Sequence, residues 1–232
     1  MNLKPHRLAC AIWMVGLLSV TGAVWAQSAP PDKAPGAGTL PQTIPIFPLP
    51  DAMLFPNVPR PLLIFEPRYR AMVADALKGD RVIGMVMLRP GYEADYEGRP
   101  PVYPIGCAGV ITSVEELPDG RFVILLRGLV KFRVASEDQS QAYRLARVEA
   151  LPELPNDEER MALRKQRGRL EALLATSIAP GSEPPPPTLP DDDLVNTLAQ
   201  YLNLDPLDRQ DLLERDGALS RSQALIDLLQ AK

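Results

Sequence analysis

The spacing of hydrophobic residues changes along the chain near residue 152. Before this point the apolar stretches are short and are separated by Pro and Gly, which is typical of β-strands. The continuous apolar run 82–88 predicts a buried strand, and the alternation over 143–151 predicts a half-buried one. The pattern therefore predicts a β-rich domain over 44–152, followed by a helical extension over 153–232.

A hairpin is the strongest local prediction within the β-rich domain. The turn Pro118-Asp119-Gly120 separates two long apolar stretches, 106–117 and 121–134. In the second stretch, Gly128 predicts a bulge or bend, because a glycine weakens a regular strand. Residues 89–104 contain Pro, Gly, Tyr and acidic residues instead, and they predict a long irregular loop.

One short helix is predicted inside the β-rich domain. Pro67 suits the first helical position, Glu66 lies near the cap, and Gly79 ends the helix. Its inner face carries four residues at helical spacing: Tyr69, Met72, Val73 and Leu77. We expect Glu66 and Arg68 to pair at the helix start. We expect Phe65 to pack inside, so that Phe65→Ala would destabilise the fold by roughly 3–5 kcal/mol.

The helical extension begins with one long helix. Asn156 or Asp157 can cap it, and it continues to about Ser177. Its predicted inner face consists of Met161, Leu163, Leu170, Leu173 and Leu174. A Pro-rich linker over 180–190, expected to be of polyproline type, interrupts the extension.

Further helices follow the linker. Asp191 to Asp193 open the next one, because carboxylates are favourable at the positive end of the helix dipole. This interpretation is preferred to a metal site. Asp205-Pro206 is a cap followed by proline at the first helical position, and a final helix spans Ser220 to Gln230.

The N-terminus has the pattern of an export signal. Lys4 and Arg7 precede the uncharged apolar stretch Leu8 to Trp25, and small residues before the end of this stretch suit cleavage after Ala26. We therefore expect a signal peptide over 1–26, export to the periplasm, and a flexible linker over 27–43. The alternative is an uncleaved membrane anchor formed by residues 8–25.

Net charge and cysteine content argue against nucleic-acid binding and against a reactive thiol. The chain has 232 residues, 46% of them apolar, and a net charge of −4, which gives no basic footprint for nucleic acid. Cleavage would leave Cys107 as the one remaining cysteine of two, in the apolar run IGCAGVI. A buried core residue is the preferred interpretation of this thiol, with a reactive cysteine as the alternative.

Catalytic and metal-binding patterns are missing from the sequence. No G-x-x-x-x-G-K-[ST] occurs, so no phosphate-binding loop is predicted. The one histidine, His6, precedes the cleavage site, which excludes a Ser-His-Asp triad and histidine metal ligands from the mature chain. We predict no catalytic residues, no metal ligands and no cofactor.

Several blocks of the chain, in order, resemble the N-terminal domain of Lon proteases: IPIFPLP at 44–50, LFP at 54–56, PLLIFEPRYRAMV at 61–73, RVIGMVM at 81–87, PIGCAGVIT at 104–112 and PDGRFVILLRGLVKFRV at 118–134. The segment 194–229 is similar to the helical extension of that domain. The resemblance implies an α+β fold, in which a PUA-like, six-stranded β-barrel-type domain precedes a helical bundle.

The resemblance also implies a function. It identifies the chain as a stand-alone relative of the Lon substrate-recognition domain, without the ATPase and protease domains, and no segment resembles the surroundings of the Lon Ser-Lys dyad. The implied activity is non-catalytic binding of unfolded or specific client polypeptides through apolar surface. The alternatives are a peptidase-like hydrolase and an accessory subunit of a separate ATP-dependent protease. RNA binding, known for other PUA domains, is disfavoured by the acidic balance.

The candidate contacts for a client are Tyr92, Tyr96 and Tyr103 in the predicted loop 89–104, together with the exposed parts of 53–60. Tyrosine is suited to this role because it offers a large contact area at a small entropic cost. The equally weighted alternative is that these tyrosines only pack the loop onto the barrel. A membrane would be a partner only if the signal stayed uncleaved. The sequence does not indicate the oligomeric state.

Overall fold

The computed structural model describes residues 40–92, 96, 98–138, 140–177 and 186–231. The predicted signal peptide over 1–26, most of the linker 27–43, and the first part of the Pro-rich linker 180–190 lie outside the described residues. Within the described part of the chain, no helix combines the length and apolar character needed to span a membrane.

Six strands form one mixed sheet: β1 (Thr43–Leu49), β2 (Pro59–Ile64), β3 (Val82–Met87), β4 (Ile105–Glu116), β5 (Phe122–Asp138) and β6 (Arg144–Leu151). Their order is β2-β5-β4-β3-β1-β6, and an additional β5–β6 pairing joins the end of this series back to β5. Strands β1, β3, β4, β5 and β6 therefore close into a ring, with β2 added beside β5. The predicted barrel-type β domain is confirmed.

The length of β5 makes this closure possible. Its first part, Phe122 to Arg127, pairs with β2, and its last part, Lys131 to Asp138, pairs with β6. The register with β4 shifts between Ala108 and Gly109, where Gly128 replaces the regular partner. The predicted hairpin and the predicted irregularity at Gly128 are both confirmed. The irregularity separates the part of β5 that pairs with β2 from the part that pairs with β6.

Two apolar clusters fill the domain. The smaller one consists of buried residues from the ring strands: Ile44, Ile46, Val82, Val86, Ala108, Phe132, Ala146 and Val148. The larger cluster runs from the outside of the sheet through the short helix into the helical extension. Cys107 belongs to the larger cluster and is fully buried, which confirms its predicted core position.

Five helices complete the fold: α1 (Pro67–Ala76), α2 (Asp157–Ser177), α3 (Asp191–Tyr201), α4 (Pro206–Glu214) and α5 (Gly217–Gln230). The predicted helix starts at Pro67, Asp191 and Pro206 are confirmed, and Asp205 caps α4 by accepting a hydrogen bond from the Leu207 amide at 2.9 Å. Of the two candidate caps of α2, Asn156 accepts from the Glu159 amide at 2.9 Å, so the helix begins at Asp157. The last helix begins at Gly217, earlier than the predicted Ser220.

One predicted inner-face residue of α2 was assigned to the wrong face. Met161 is exposed, whereas Leu163, Leu170 and Leu174 are buried. The spacing of the three leucines sets the buried stripe, and Met161 lies on the other side of the helix from it.

Amide side chains attach the helical extension to the β domain. Gln200 accepts a hydrogen bond from the Phe55 amide at 3.0 Å and donates to the Pro59 carbonyl at 3.0 Å. Gln210 donates to the Ile105 carbonyl at 3.1 Å. These bonds satisfy backbone groups that the sheet leaves unpaired, so the two parts pack as one body.

Candidate functional site

Phe65 is exposed, contrary to the prediction that it packs inside. Its side chain is 60% exposed, whereas Ile64 before it is 1% exposed. Successive side chains of an extended chain point to opposite faces, so the burial of Ile64 places Phe65 outside. Phe65→Ala therefore empties no core site, and the predicted loss of roughly 3–5 kcal/mol does not apply to it. The predicted pair between Glu66 and Arg68 is confirmed, with the Oε2–Nε distance at 3.0 Å.

Phe65 belongs to an exposed apolar surface on one face of β2 and β5. Leu63 and Val123 are direct partners in the antiparallel register and are 48% and 38% exposed. Phe65 follows Leu63 by two residues, the spacing that keeps side chains on one face of an extended chain. We call Leu63, Phe65 and Val123 the β2–β5 patch. Scattered exposed apolar residues are ordinary, but a contiguous group is typical of an interaction surface.

The free edge of β2 is a poor template for adding a further strand. Pro59 and Pro61 have no backbone N–H to donate. The Pro59 carbonyl already accepts hydrogen bonds from the Gln200 amide and the Tyr201 hydroxyl. A partner at this corner would therefore contact the side chains of the patch and would not extend the sheet.

The three predicted tyrosines lie in different environments. Tyr92 is 46% exposed. The Tyr96 hydroxyl donates to Glu66 Oε1 at 3.0 Å, and the Arg68 guanidinium lies 4.9 Å from the Tyr96 ring centre. Tyr103 is partly buried against the core, with the Arg89 guanidinium 5.0 Å from its ring centre. Tyr96 therefore contacts the start of α1 and Tyr103 packs on the core, whereas Tyr92 is the most exposed of the three.

Neighbouring groups at the start of α1 rigidify this corner. The Tyr69 ring packs on Phe47 with centroids 4.4 Å apart, and the Arg68 guanidinium lies 4.6 Å from the Tyr69 ring centre. Burial raises the pKa of the Tyr69 hydroxyl, and the neighbouring Tyr96 raises it further. Tyr69 is therefore a neutral packing group at physiological pH.

The described residues contain neither a metal-binding cluster nor an exposed thiol. No group of three or more His, Cys, Asp and Glu side chains in the described ranges is arranged to hold a metal ion. Burial raises the pKa of the Cys107 thiol, which keeps it protonated and unreactive. The β2–β5 patch adds exposed apolar area that is contiguous across two paired strands.

Sequence reasoning missed this patch, although a signal for it was present. Strand β2 and the residue after it alternate Leu62 and Ile64 on one face with Leu63 and Phe65 on the other. Apolar residues on both faces of a strand at a sheet edge indicate one face packed on the core and one available to a partner. The short length of the run hid the alternation.

Comparisons with known proteins agree with the fold. Residues 43–231 match the family model described as the ATP-dependent protease La (LON) substrate-binding domain. Among curated proteins, a Lon protease of Cytophaga hutchinsonii is 26% identical over 203 residues, covering 82% of this chain and 24% of that protein. A Lon protease of Trichlorobacter lovleyi is 29% identical over 198 residues, covering 82% and 24%. The chain thus spans about a quarter of the length of these relatives.

Solved structures give the same picture of the fold. The N-terminal domain of a Mycobacterium avium complex Lon protease matches with a TM-score of 0.59 and 18% identity, covering 81% of this chain and 98% of that one. A Lon N-terminal domain protein from Xanthomonas campestris matches with a TM-score of 0.56 and 22% identity, covering 80% and 97%. These matches confirm the predicted α+β fold.

Proposed function

Since the chain belongs to the family of ATP-dependent protease La (LON) substrate-binding domains, we propose that it is a polypeptide-recognition module without catalytic activity of its own. The matched quarter of the curated relatives is their substrate-binding part. The sequence carries no phosphate-binding loop, which supports the absence of ATP hydrolysis.

The observation that carries this proposal is the β2–β5 patch. Apolar surface removed from water stabilises a complex by about 25 cal/mol per Å². An unfolded client exposes the aliphatic and aromatic side chains that a folded protein buries, so the patch would select unfolded segments. Ordering a flexible client costs conformational entropy, which offsets much of this gain and makes the binding weak.

The patch suits an extended segment that lies across the face of the sheet. Leu63 and Val123 project from neighbouring strands, and Phe65 continues the apolar line toward α1. The exposed carboxylate of Glu115, the β4 partner of Val123, borders the patch on one side. A client with apolar residues next to a basic one would therefore bind best.

We predict that the double substitution Leu63→Ser with Phe65→Ser weakens binding of casein, an unfolded polypeptide, at least fivefold. The matched control is Leu154→Ser with Met161→Ser, which removes two exposed apolar side chains from the helical extension and should leave binding unchanged. Fluorescence anisotropy of labelled casein measures both. Since Phe65 is exposed, Phe65→Ser should change the free energy of unfolding by less than about 1 kcal/mol.

Different results would contradict the proposal. Equal weakening in both double variants would show unspecific adhesion of casein. Unchanged binding in both double variants, together with weakened binding in Tyr92→Ser, would place the site in the loop 89–104 instead.

The purified protein should also leave casein intact, with or without ATP. Cleavage that survives repurification and disappears with one serine substitution would establish a hydrolase.

We propose further that the protein is exported and that residues 1–26 are removed. The positive n-region, the apolar stretch and the small residues before Ala26 support this. The purified mature protein should have a mass that begins at Gln27. It should also show tyrosine-only fluorescence, because Trp13 and Trp25 both precede the cut. A mass that includes residues 1–26, with the protein in the membrane fraction, would favour the anchor.

A further inference from the structure

A cationic cavity lies beside the start of α1, apart from the apolar residues of the β2–β5 patch. Its volume is about 250 Å³, and its lining includes three arginines and three tyrosines: Arg68, Arg99, Arg144, Tyr69, Tyr96 and Tyr143. Strand β6 supplies Arg144 at its first position, and helix α1 supplies Arg68 and Tyr69 in its first turn. A cluster of three guanidinium groups is unusual in a chain of net charge −4.

The carboxylates near the cavity compensate two of these three charges. Arg68 pairs with Glu66 at 3.0 Å, and Arg144 Nε lies 3.2 Å from Glu137 Oε2. Arg99 donates instead to two neutral backbone carbonyls, those of Asp138 at 3.3 Å and Gln141 at 3.1 Å. The Asp75 carboxylate accepts from the Tyr143 hydroxyl at 3.0 Å, but it is paired with Lys78 at 2.8 Å and adds no net charge. Among these described groups, the balance is therefore one excess positive charge.

Arg144 is held rigidly and remains incompletely satisfied. It is 7% exposed, and its Nη2 donates to the Pro100 carbonyl at 2.7 Å, whereas Nη1 has no hydrogen-bond partner in the structure. Burial lowers the pKa of Arg144, and the nearby charges of Arg99 and Arg68 lower it further against the attraction of Glu137. A buried, repelled guanidinium is stabilised by any anion that enters beside it.

We propose that this cavity binds a carboxylate monoanion. One excess positive charge matches one carboxylate, whereas a phosphate dianion would overcompensate it. The walls of Tyr69, Tyr96 and Tyr143 would cover the carbon atoms next to the carboxylate. The volume lies below the roughly 300–1,000 Å³ of pockets for drug-sized ligands, so a small acid or the last residue of a polypeptide fits. A free small acid and the C-terminus of a polypeptide both present a carboxylate.

Calorimetric titration of the purified protein with paired probes tests this site. We expect acetate to bind and acetamide not to bind. An N-acetylated alanine hexapeptide with a free C-terminal carboxylate should bind at least tenfold more tightly than its C-terminal amide if polypeptide ends are the natural source. Equal binding of acid and amide, with acetate still binding, would identify a free small acid as the source.

Variants separate the cavity from the rest of the surface. Arg144→Gln and Arg99→Gln should each weaken acetate binding at least fivefold, and Arg147→Gln, which removes an exposed charge from the same strand, should leave it unchanged. If circular dichroism shows that Arg144→Gln does not fold, the acetate affinity of Arg99→Gln alone tests the proposal. Equal affinities for acetate and acetamide, or binding of inorganic phosphate without binding of acetate, would overturn the proposal. Casein binding at the β2–β5 patch is a separate measurement and would be unaffected.

Discussion

Replacing Arg221 with alanine is expected to lower the free energy of unfolding by about 3–5 kcal/mol, the range for breaking a buried ion pair from one side. Arg221 is completely buried on α5. Its guanidinium donates to Glu153 Oε1 at 2.5 Å, to Asn196 Oδ1 at 2.6 Å and to the Leu212 carbonyl at 2.9 Å. The residue therefore joins α3, α4 and α5 to the segment that follows β6.

The large effect arises from the groups that the substitution leaves behind. Glu153 would keep one cationic partner, Lys131, whose Nζ lies 2.7 Å from Glu153 Oε1. The Leu212 carbonyl and the Asn196 amide oxygen would each lose a donor in a buried site, and each unsatisfied group costs about 1–3 kcal/mol. The vacated volume beneath the Phe55 ring, 5.5 Å from the guanidinium carbon, adds a packing loss.

Chemical denaturation measures this prediction against an exposed arginine. Arg215→Ala breaks a surface pair with Asp211 on α4, where the two side chains are 42% and 58% exposed, and should cost less than about 1 kcal/mol. A loss for Arg221→Ala no larger than that of Arg215→Ala would show that the buried network does not hold the helices to the barrel.

The same network predicts an acid dependence. Burial opposes ionisation of Glu153, but the charge of Arg221 and hydrogen bonds from Arg221 and Lys131 outweigh it and lower the pKa of this carboxyl. A carboxyl with a depressed folded-state pKa contributes stability above its unfolded pKa, and this contribution is lost as the pH falls through the folded pKa. Arg221→Ala should therefore flatten the fall in stability on acidification.

Local signals in the sequence predicted most of the secondary structure. The Pro118-Asp119-Gly120 turn, the buried strand at 82–88 and the Pro67 and Pro206 helix starts each depend on neighbouring residues, and the structure confirms them. The fold class was predicted from the resemblance of several blocks, in order, to the Lon N-terminal domain, and the structural matches confirm it.

The structural features that the sequence did not predict depend on contacts between segments that are distant in the chain. Phe65 was assigned to the core because it is apolar, whereas the direction of its side chain depends on the burial of Ile64. Arg221 lies in the polar stretch LSRSQ of α5, which has the composition of a solvated helix surface. Its burial depends on Glu153, 68 residues earlier in the chain, and no local pattern encodes that pairing. The cationic cavity, assembled from α1, β6 and the segment before Pro100, was hidden for the same reason.

Gly128 was recognised as an irregularity, but the structure shows a stricter requirement. A Cβ atom at this position would lie 2.0 Å from the carbonyl oxygen of Phe55 and 2.8 Å from its carbonyl carbon. The backbone of Gly128 also accepts from the Asn57 amide and donates to the Val58 carbonyl, both at 3.0 Å. The loop 55–58 therefore lies directly on β5, and the glycine provides the space for it.

We predict that Gly128→Ala lowers the free energy of unfolding by about 3 kcal/mol, the upper end for overpacking a filled site, because the clashing atoms belong to the backbone and cannot rotate away. Gly168→Ala is the matched control. It lies in the interior of α2 with no atom within 4 Å of the added Cβ, so it should raise the free energy of unfolding by about 0.5–1 kcal/mol. Thermal and denaturant unfolding of the two variants should therefore shift in opposite directions. If Gly128→Ala stayed within about 1 kcal/mol of the unchanged protein, the loop 55–58 would have to yield easily, and the Gln200 and Asn196 bonds to that loop would not anchor the helical extension.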